Sequence, residues 1–183
     1  MQKILIASDI HGSAYWCQKL LEAFEKEGAE KLVLLGDLLY HGPRNDFPKN
    51  YAPKEVFAML NAVKDKLVCV RGNCDSEVDQ MVLDFPMMAD YALLPWHNRN
   101  FFLTHGHLFN KEIVPPLQTG DLLFNGHFHT PEITPLTDGV RYVNCGSVSL
   151  PKEGTPHSFI VATCDKLIWK DLETGESFME EIL

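Results

Sequence analysis

The stretch Lys3-Ile4-Leu5-Ile6-Ala7-Ser8-Asp9-Ile10-His11-Gly12-Ser13 sets the reading of the whole chain. Residues 3–8 form a short, nearly continuous apolar run, the pattern of a strand buried on both faces. Asp9 and His11 follow directly, two residues apart, and on extended backbone that spacing points both side chains to one face. Ser13 can cap a helix in which Trp16, Leu20, Ala23 and Phe24 recur at helical spacing, and Gly28 is placed to stop it. The same grammar repeats downstream. Residues 31–35 read as a second buried strand ending at Gly36-Asp37, Pro53 opens a helix through Val56, Phe57, Leu60 and Val63, and residues 66–70 form a third strand ending at Arg71-Gly72-Asn73. The first half is therefore β-α-β-α-β, a right-handed parallel unit by the usual crossover rule.

The second half changes character. Residues 91–94 and 100–104 flank a turn over 95–99 and predict a hairpin. Residues 121–125 form another buried run, ending at Gly126-His127. Short strands follow over 133–136, 140–143, 158–163 and 167–171, mostly joined by Asp, Gly or Lys turns. No repeat, low-complexity tract or linker divides the chain. The expected architecture is one α/β domain over 1–183: two mixed sheets face to face with helices outside, a four-layer α/β/β/α sandwich.

Five polar clusters each follow an apolar run: Asp9–His11, Gly36-Asp37, Gly72-Asn73, Thr104-His105-Gly106-His107 and Gly126-His127-Phe128-His129. Strand ends at one rim of a sheet are where α/β proteins keep their ligand sites. Taken singly, each cluster has a plain alternative: Asp9 as a helix-entry cap, Gly36-Asp37 as a turn, Asn73 as left-handed turn chemistry. Taken together and in this order, two carboxylates, a carboxamide and several imidazoles make a site for two divalent metals sharing one aspartate. Nitrogen and oxygen donors without a clear thiolate disfavour a structural zinc site and accept Mn²⁺, Fe²⁺, Co²⁺, Ni²⁺ or catalytic Zn²⁺.

The order D-x-H, G-D, G-N, H-G-H and G-H-x-H resembles the motif series of the calcineurin-like metallophosphoesterases, over nearly the whole chain. The Gly-Asn-Cys-Asp and Thr-His-Gly-His forms are similar to those of small bacterial YfcE-type phosphodiesterases. The resemblance implies that Asp9, His11, Asp37 and His129 hold one ion and Asp37, Asn73, His105 and His127 the other. Manganese is the expected metal, with Ni²⁺, Co²⁺, Fe²⁺ or Zn²⁺ as alternatives. It also implies a phosphodiesterase in which a hydroxide bridging the two metals attacks phosphorus, with Asp37, Asn73 and His105 as the catalytic residues. A phosphomonoesterase is the nearest competitor. A silent interaction scaffold, like the similar retromer subunit, is the alternative from another class, and the complete ligand set weighs against it.

One position departs from the motif. Where most of the superfamily has histidine after Gly-Asn, this chain has Cys74, a poor proton donor to an alkoxide. That change favours diesters with good leaving groups. Cys74, His41, Arg44 and Arg71 are candidate substrate contacts, the last three equally suited to pairing with a surface carboxylate. His107 is read as a rim or loop residue, and Cys145 as packing in a turn near the site.

Composition narrows the partners. With 183 residues, 45% hydrophobic and 22% charged, the chain can build a full core. A formal net charge of −9 argues against an extended nucleic-acid surface or a membrane-surface patch, but it does not exclude a phosphate substrate at a site made positive by two metal ions; the family resemblance implies a small phosphodiester. The five cysteines show no CxxC pair and are odd in number, no apolar run approaches a bilayer span, and the N-terminal residues enter a strand at once. A reducing cytoplasm is expected. Homo-oligomerisation is left open.

Overall fold

The structure, a computed structural model, describes residues 3–183. The first half runs β1 (Ile4–Ala7), α1 (Ala14–Glu27), β2 (Lys31–Leu34), α2 (Pro53–Ala62), β3 (Leu67–Cys69) and a single-turn helix α3 (Glu77–Gln80). The second half is mostly strand, with one 3-10 turn over Thr137–Gly139: β4 (Tyr91–Trp96), β5 (Arg99–Thr104), β6 (Leu122–Asn125), β7 (Glu132–Pro135), β8 (Arg141–Asn144), β9 (Ser158–Ala162), β10 (Lys166–Asp171) and β11 (Ser177–Ile182). Ser13 caps α1 by accepting from the Trp16 N–H, and Gly28 closes it in the left-handed region at φ 63°, a conformation glycine adopts without a Cβ clash.

Two mixed sheets result, in the orders β11-β10-β9-β1-β2-β3 and β4-β5-β6-β8-β7. In the first, β1, β2 and β3 are parallel while β9 to β11 run antiparallel. In the second, β5, β6 and β8 are parallel. Alternation along β1 builds two cores at once. Leu5 and Ala7 face α1 and α2, where Trp16, Leu20, Phe24, Val56 and Leu60 bury. Ile4 and Ile6 face the second sheet, meeting a layer that holds Phe101, Leu103, Phe124, Trp96 and Trp169. Each such side chain contributes about 1.5–3 kcal/mol by burial.

The expected sandwich of two mixed sheets is present, with three local differences. The outer face of the second sheet, Phe102, Leu123 and Tyr142, is covered by Phe109, Leu117 and Leu136 from irregular segments and a strand end rather than by helices. The hairpin turn is tighter than the predicted 95–99: β4 continues through Pro95 to the buried Trp96, leaving His97 and Asn98 as the turn. Proline is tolerated there because β4 is an edge strand, and Trp96 is fixed by donating from Nε1 to the Thr163 carbonyl at 2.9 Å. Finally, β11 adds an edge strand for which the sequence gives little signal.

Candidate metal centre

The C-terminal ends of β1, β2 and β3 from one sheet and of β5 and β6 from the other meet at one rim. There Asp9, His11, Asp37, Asn73, His105, His127 and His129 converge. Asp9 Oδ1 lies 3.4 Å from His11 Nε2 and 3.1 Å from His129 Nε2, and the two ring nitrogens are 3.3 Å apart. On the other side His105 Nε2 lies 3.0 Å from Asn73 Oδ1 and 3.4 Å from Asp37 Oδ2. The same Asp37 Oδ2 is 3.7 Å from His11 Nε2, so this oxygen faces both groups. His127 stands beside the second group, its ring centroid 5.0 Å from that of His105.

The outer nitrogens of the rings decide what the inner ones can do. His11, His105 and His129 each place Nδ1 against a backbone carbonyl: Tyr40 at 2.8 Å, Leu35 at 2.8 Å and Leu150 at 2.6 Å. A carbonyl only accepts, so each Nδ1 carries a proton and each Nε2 turns a lone pair inward. His11 and His129 thus present lone pairs to one another and to Asp9 Oδ1, a buried oxygen with no hydrogen-bond partner. Buried acceptors facing acceptors require a cation between them. Nitrogen and oxygen donors of this kind fit a divalent metal.

Protons partly fill that role when no ion is bound. Burial works to raise the carboxyl groups, but His129, His105 and His11 hold Asp9 well below the usual range, and His105 holds Asp37 below it. The carboxylates in turn outweigh burial at His105 and push it up to about 9. His11 is raised for the same reason, against its own burial. His127 goes the other way: burial, then the charge on His105, takes it down to about 4, so its ring is neutral at ordinary pH.

The backbone route to this convergence differs from the extended-strand reading. Asp9 (φ 61°), His11 (φ 49°), Asp37 (φ 54°), His127 (φ 59°) and His129 (φ 63°) all sit in the left-handed region. Each such non-glycine residue costs about 1–3 kcal/mol, held by the surrounding structure. Side chains two apart converge here through consecutive kinks, not through strand alternation. Asn73, for which a left-handed turn was the plain alternative, is not among the positive-φ residues. Gly72 and Gly126 serve close approach instead: a Cβ on Gly72 would collide with Asp37, and one on Gly126 with Ser8 Oγ and Asp9 Oδ2.

Supporting residues escaped the sequence reading. Asp75, buried, accepts from the N–H groups of Asp37 (2.7 Å), Leu38 (2.9 Å) and Gly72 (2.7 Å), tying the turn after β2 to the turn after β3. Burial and the neighbouring Asp37 raise it to about 6. Asp37 Oδ1 accepts from the Cys74 N–H at 2.8 Å, which leaves Oδ2 for the site. Ser147 and Ser149 donate their hydroxyls to the Asp9 carbonyl at 3.1 and 3.0 Å and hold the kink after β1. The available signal was the carboxylate inside Gly-Asn-Cys-Asp and the serines around Gly146.

A cavity of about 340 Å³ opens over the cluster. Arg44 and Cys74 line it, together with Lys152, a residue to which the sequence reading gave no role. The Cys74 thiol is pushed up by burial and by Asp37, so it stays protonated. Two expected contacts lie elsewhere. Arg71 pairs with Asp90 at 2.6 Å, and the His41 ring packs among Tyr40, Phe47 and Tyr51. His107 does not line this cavity; it lines an adjoining pocket with Lys111 and Phe128. Cys145 is buried between the sheets, in agreement with a packing role.

Similarity to known proteins bears on this arrangement. Residues 2–167 match the family model described as the calcineurin-like phosphoesterase superfamily domain. The chain is 48% identical over 159 residues to Phosphodiesterase YfcE of Escherichia coli strain K12, covering 87% of this chain and 86% of that protein. Among solved structures it resembles the E. coli YfcE phosphoesterase with a TM-score of 0.94 and 44% identity, over 98% of both chains. Its fold also resembles Vps29 of Entamoeba histolytica complexed with zinc, at TM-score 0.62 and 18% identity, over 100% of this chain and 98% of that one. With a family model spanning most of its length and a relative this similar, the chain belongs to the calcineurin-like phosphoesterase superfamily.

Proposed function

We propose that the protein is a metal-dependent phosphodiesterase acting on a small phosphodiester. The observation that carries the reading is the set of inward Nε2 lone pairs of His11, His105 and His129 around Asp9 and Asp37, each fixed by its outer N–H on a carbonyl. Asp9, His11, Asp37 and His129 would hold one divalent ion, and Asp37, Asn73, His105 and His127 the second. When bound, such a pair neutralises phosphoryl charge and acidifies water to a nucleophile near neutral pH. Manganese is the expected metal.

The chain's own residues then have distinct tasks. Asp37, whose Oδ1 is occupied by the Cys74 N–H, would offer Oδ2 to the metal site between His11 and His105. The carbonyl-anchored imidazoles keep the ligands rigid, so little reorganisation accompanies the reaction. Cys74, protonated and weakly acidic, gives the leaving group no effective proton, which directs the site to esters whose alcohol departs unaided. The name of the E. coli relative, a phosphodiesterase, agrees with that preference.

No helix among the described residues is long and apolar enough to cross a membrane. We place the protein in the cytoplasm as a single domain. The test is hydrolysis of bis-p-nitrophenyl phosphate and of p-nitrophenyl phosphate by protein stripped of metal and reloaded with Mn²⁺. The reading expects turnover only after reloading, with the diester preferred. Equal turnover by stripped protein contradicts metal dependence, and a preference for the monoester contradicts the diesterase assignment.

A further inference from the structure

Two cations at the cavity have no partner. Arg44 and Lys152 both line it, and neither forms an ion pair or a side-chain hydrogen bond among the described residues. In a chain with 25 acidic residues against 16 basic ones, unpaired cations sharing one cavity are not the default. The lining offers a single carboxylate, Asp37, and that one is turned into the metal centre.

Each cation is presented from a pinned turn. Arg44 sits third in the turn Gly42-Pro43-Arg44-Asn45, closed by the Asn45 N–H on the Gly42 carbonyl at 3.3 Å, with Pro43 in the position that proline pre-sets. Asn45 also donates its side-chain amide to the His41 carbonyl at 2.8 Å. The Lys152 N–H donates to the His129 carbonyl at 3.2 Å, and the Lys152 carbonyl accepts from Thr155 N–H and hydroxyl at 3.0 and 2.7 Å. One cation is thus anchored within the loop after β2 and the other directly on a candidate metal ligand.

Charge balance asks what these cations are for. Two divalent ions would be balanced in charge by Asp9, Asp37, a hydroxide and one monoanionic diester, which would leave Arg44 and Lys152 surplus to the reacting centre. Space is also surplus: 340 Å³ lies within the roughly 300–1,000 Å³ of pockets that bury a whole small ligand. We infer that Arg44 and Lys152 form a subsite for a second oxyanion, and that the preferred substrate is a phosphodiester carrying a further carboxylate or phosphate on one ester arm. This rests on the phosphodiesterase reading and narrows its substrate class. Arginine suits a bidentate grip and lysine a point contact, so the pair recognises charge more than shape.

The test uses two isosteric pairs. Kinetics compares p-nitrophenyl carboxyethyl phosphate with p-nitrophenyl isopentyl phosphate, and calorimetry compares phosphonopropanoate with isopentylphosphonate binding to the Mn²⁺-loaded protein. A preference of about tenfold or more for the carboxylate member is expected in both, carried by KM in the kinetic arm, because a charge-assisted contact is worth at least that factor. Lys152→Gln and Arg44→Gln should each cut the preference several-fold, and Lys152→Arg should keep it. Added salt should shrink it. Ratios near one in wild-type protein, or ratios unmoved by both glutamine variants, overturn the subsite. If neither ester turns over, the diesterase reading fails by itself, and the phosphonate pair still decides the subsite.

Discussion

Cys74 and His105 show how neighbours set the chemistry of single groups. The Cys74 thiol is raised by burial and by Asp37, so it is neither a thiolate nucleophile nor a useful acid. Cys74→Ser should therefore keep its metal and a substantial fraction of kcat/KM toward p-nitrophenyl diesters. Cys74→His should raise activity toward alkyl and monoester substrates more than toward activated diesters, because a general acid contributes ~10²–10⁴-fold only where the leaving group is basic. Loss of all diesterase activity in the metal-loaded serine variant contradicts this. His105 makes a proton prediction. At pH 7.5 its ring is charged in ion-free protein, since its value stands at about 9. Metal binding must expel that proton, and calorimetry in buffers of different ionisation enthalpy should find about one or more protons released per chain. The sign for stability follows: in ion-free protein the contribution of this raised histidine is full below pH ~6.5 and is lost as pH rises through about 9. Zero proton release sinks the account of His105.

Strands ending in kinked turns carry most of what the sequence reveals. The runs leading to Asp9, Asp37, Asn73, His105 and His127 are legible because each is apolar where it enters the core, fully buried in β1 and β6 and half-buried along the edge strand β3, and the polar cluster marks where each one stops. β11 is not legible: in Ser177–Ile182 only alternate residues are half-buried, and Glu180 and Glu181 reach Lys166 and Arg141 rather than a core. The covering over the second sheet is loop, whose packing by Phe109 and Leu117 leaves no period to read. The left-handed kinks are equally hidden, since Asp and His carry no signature for them as glycine does. Asp75 is the sharpest case of a role visible only in three dimensions. It joins two turns by accepting from three backbone N–H groups, and Asp75→Ala leaves those buried donors unpaired. The variant should lose about 2–4 kcal/mol of stability in urea unfolding and bind metal more weakly. A change below about 0.5 kcal/mol contradicts the tie.

The assembled molecule separates its core from its chemistry. The helix-facing and inter-sheet layers are closed by apolar side chains such as Leu5, Phe24, Phe124 and Trp169, none of them at the metal centre. Chelation should therefore abolish turnover while the far-UV spectrum stays unchanged, with Tm lowered only by the binding energy withdrawn. Collapse of the spectrum on chelation instead marks a structural metal. The central claim is that one carboxylate, Asp37, serves two ions at once, with Asp9, His11 and His129 on one side and Asn73, His105 and His127 on the other. Anomalous diffraction from Mn²⁺-loaded crystals of wild type and Asp37→Asn tests it most directly. The account predicts two peaks roughly 3.5 Å apart flanking Asp37 in wild type, and the loss of at least one of them in the variant. A single wild-type peak, or two peaks undisturbed in Asp37→Asn, contradicts it.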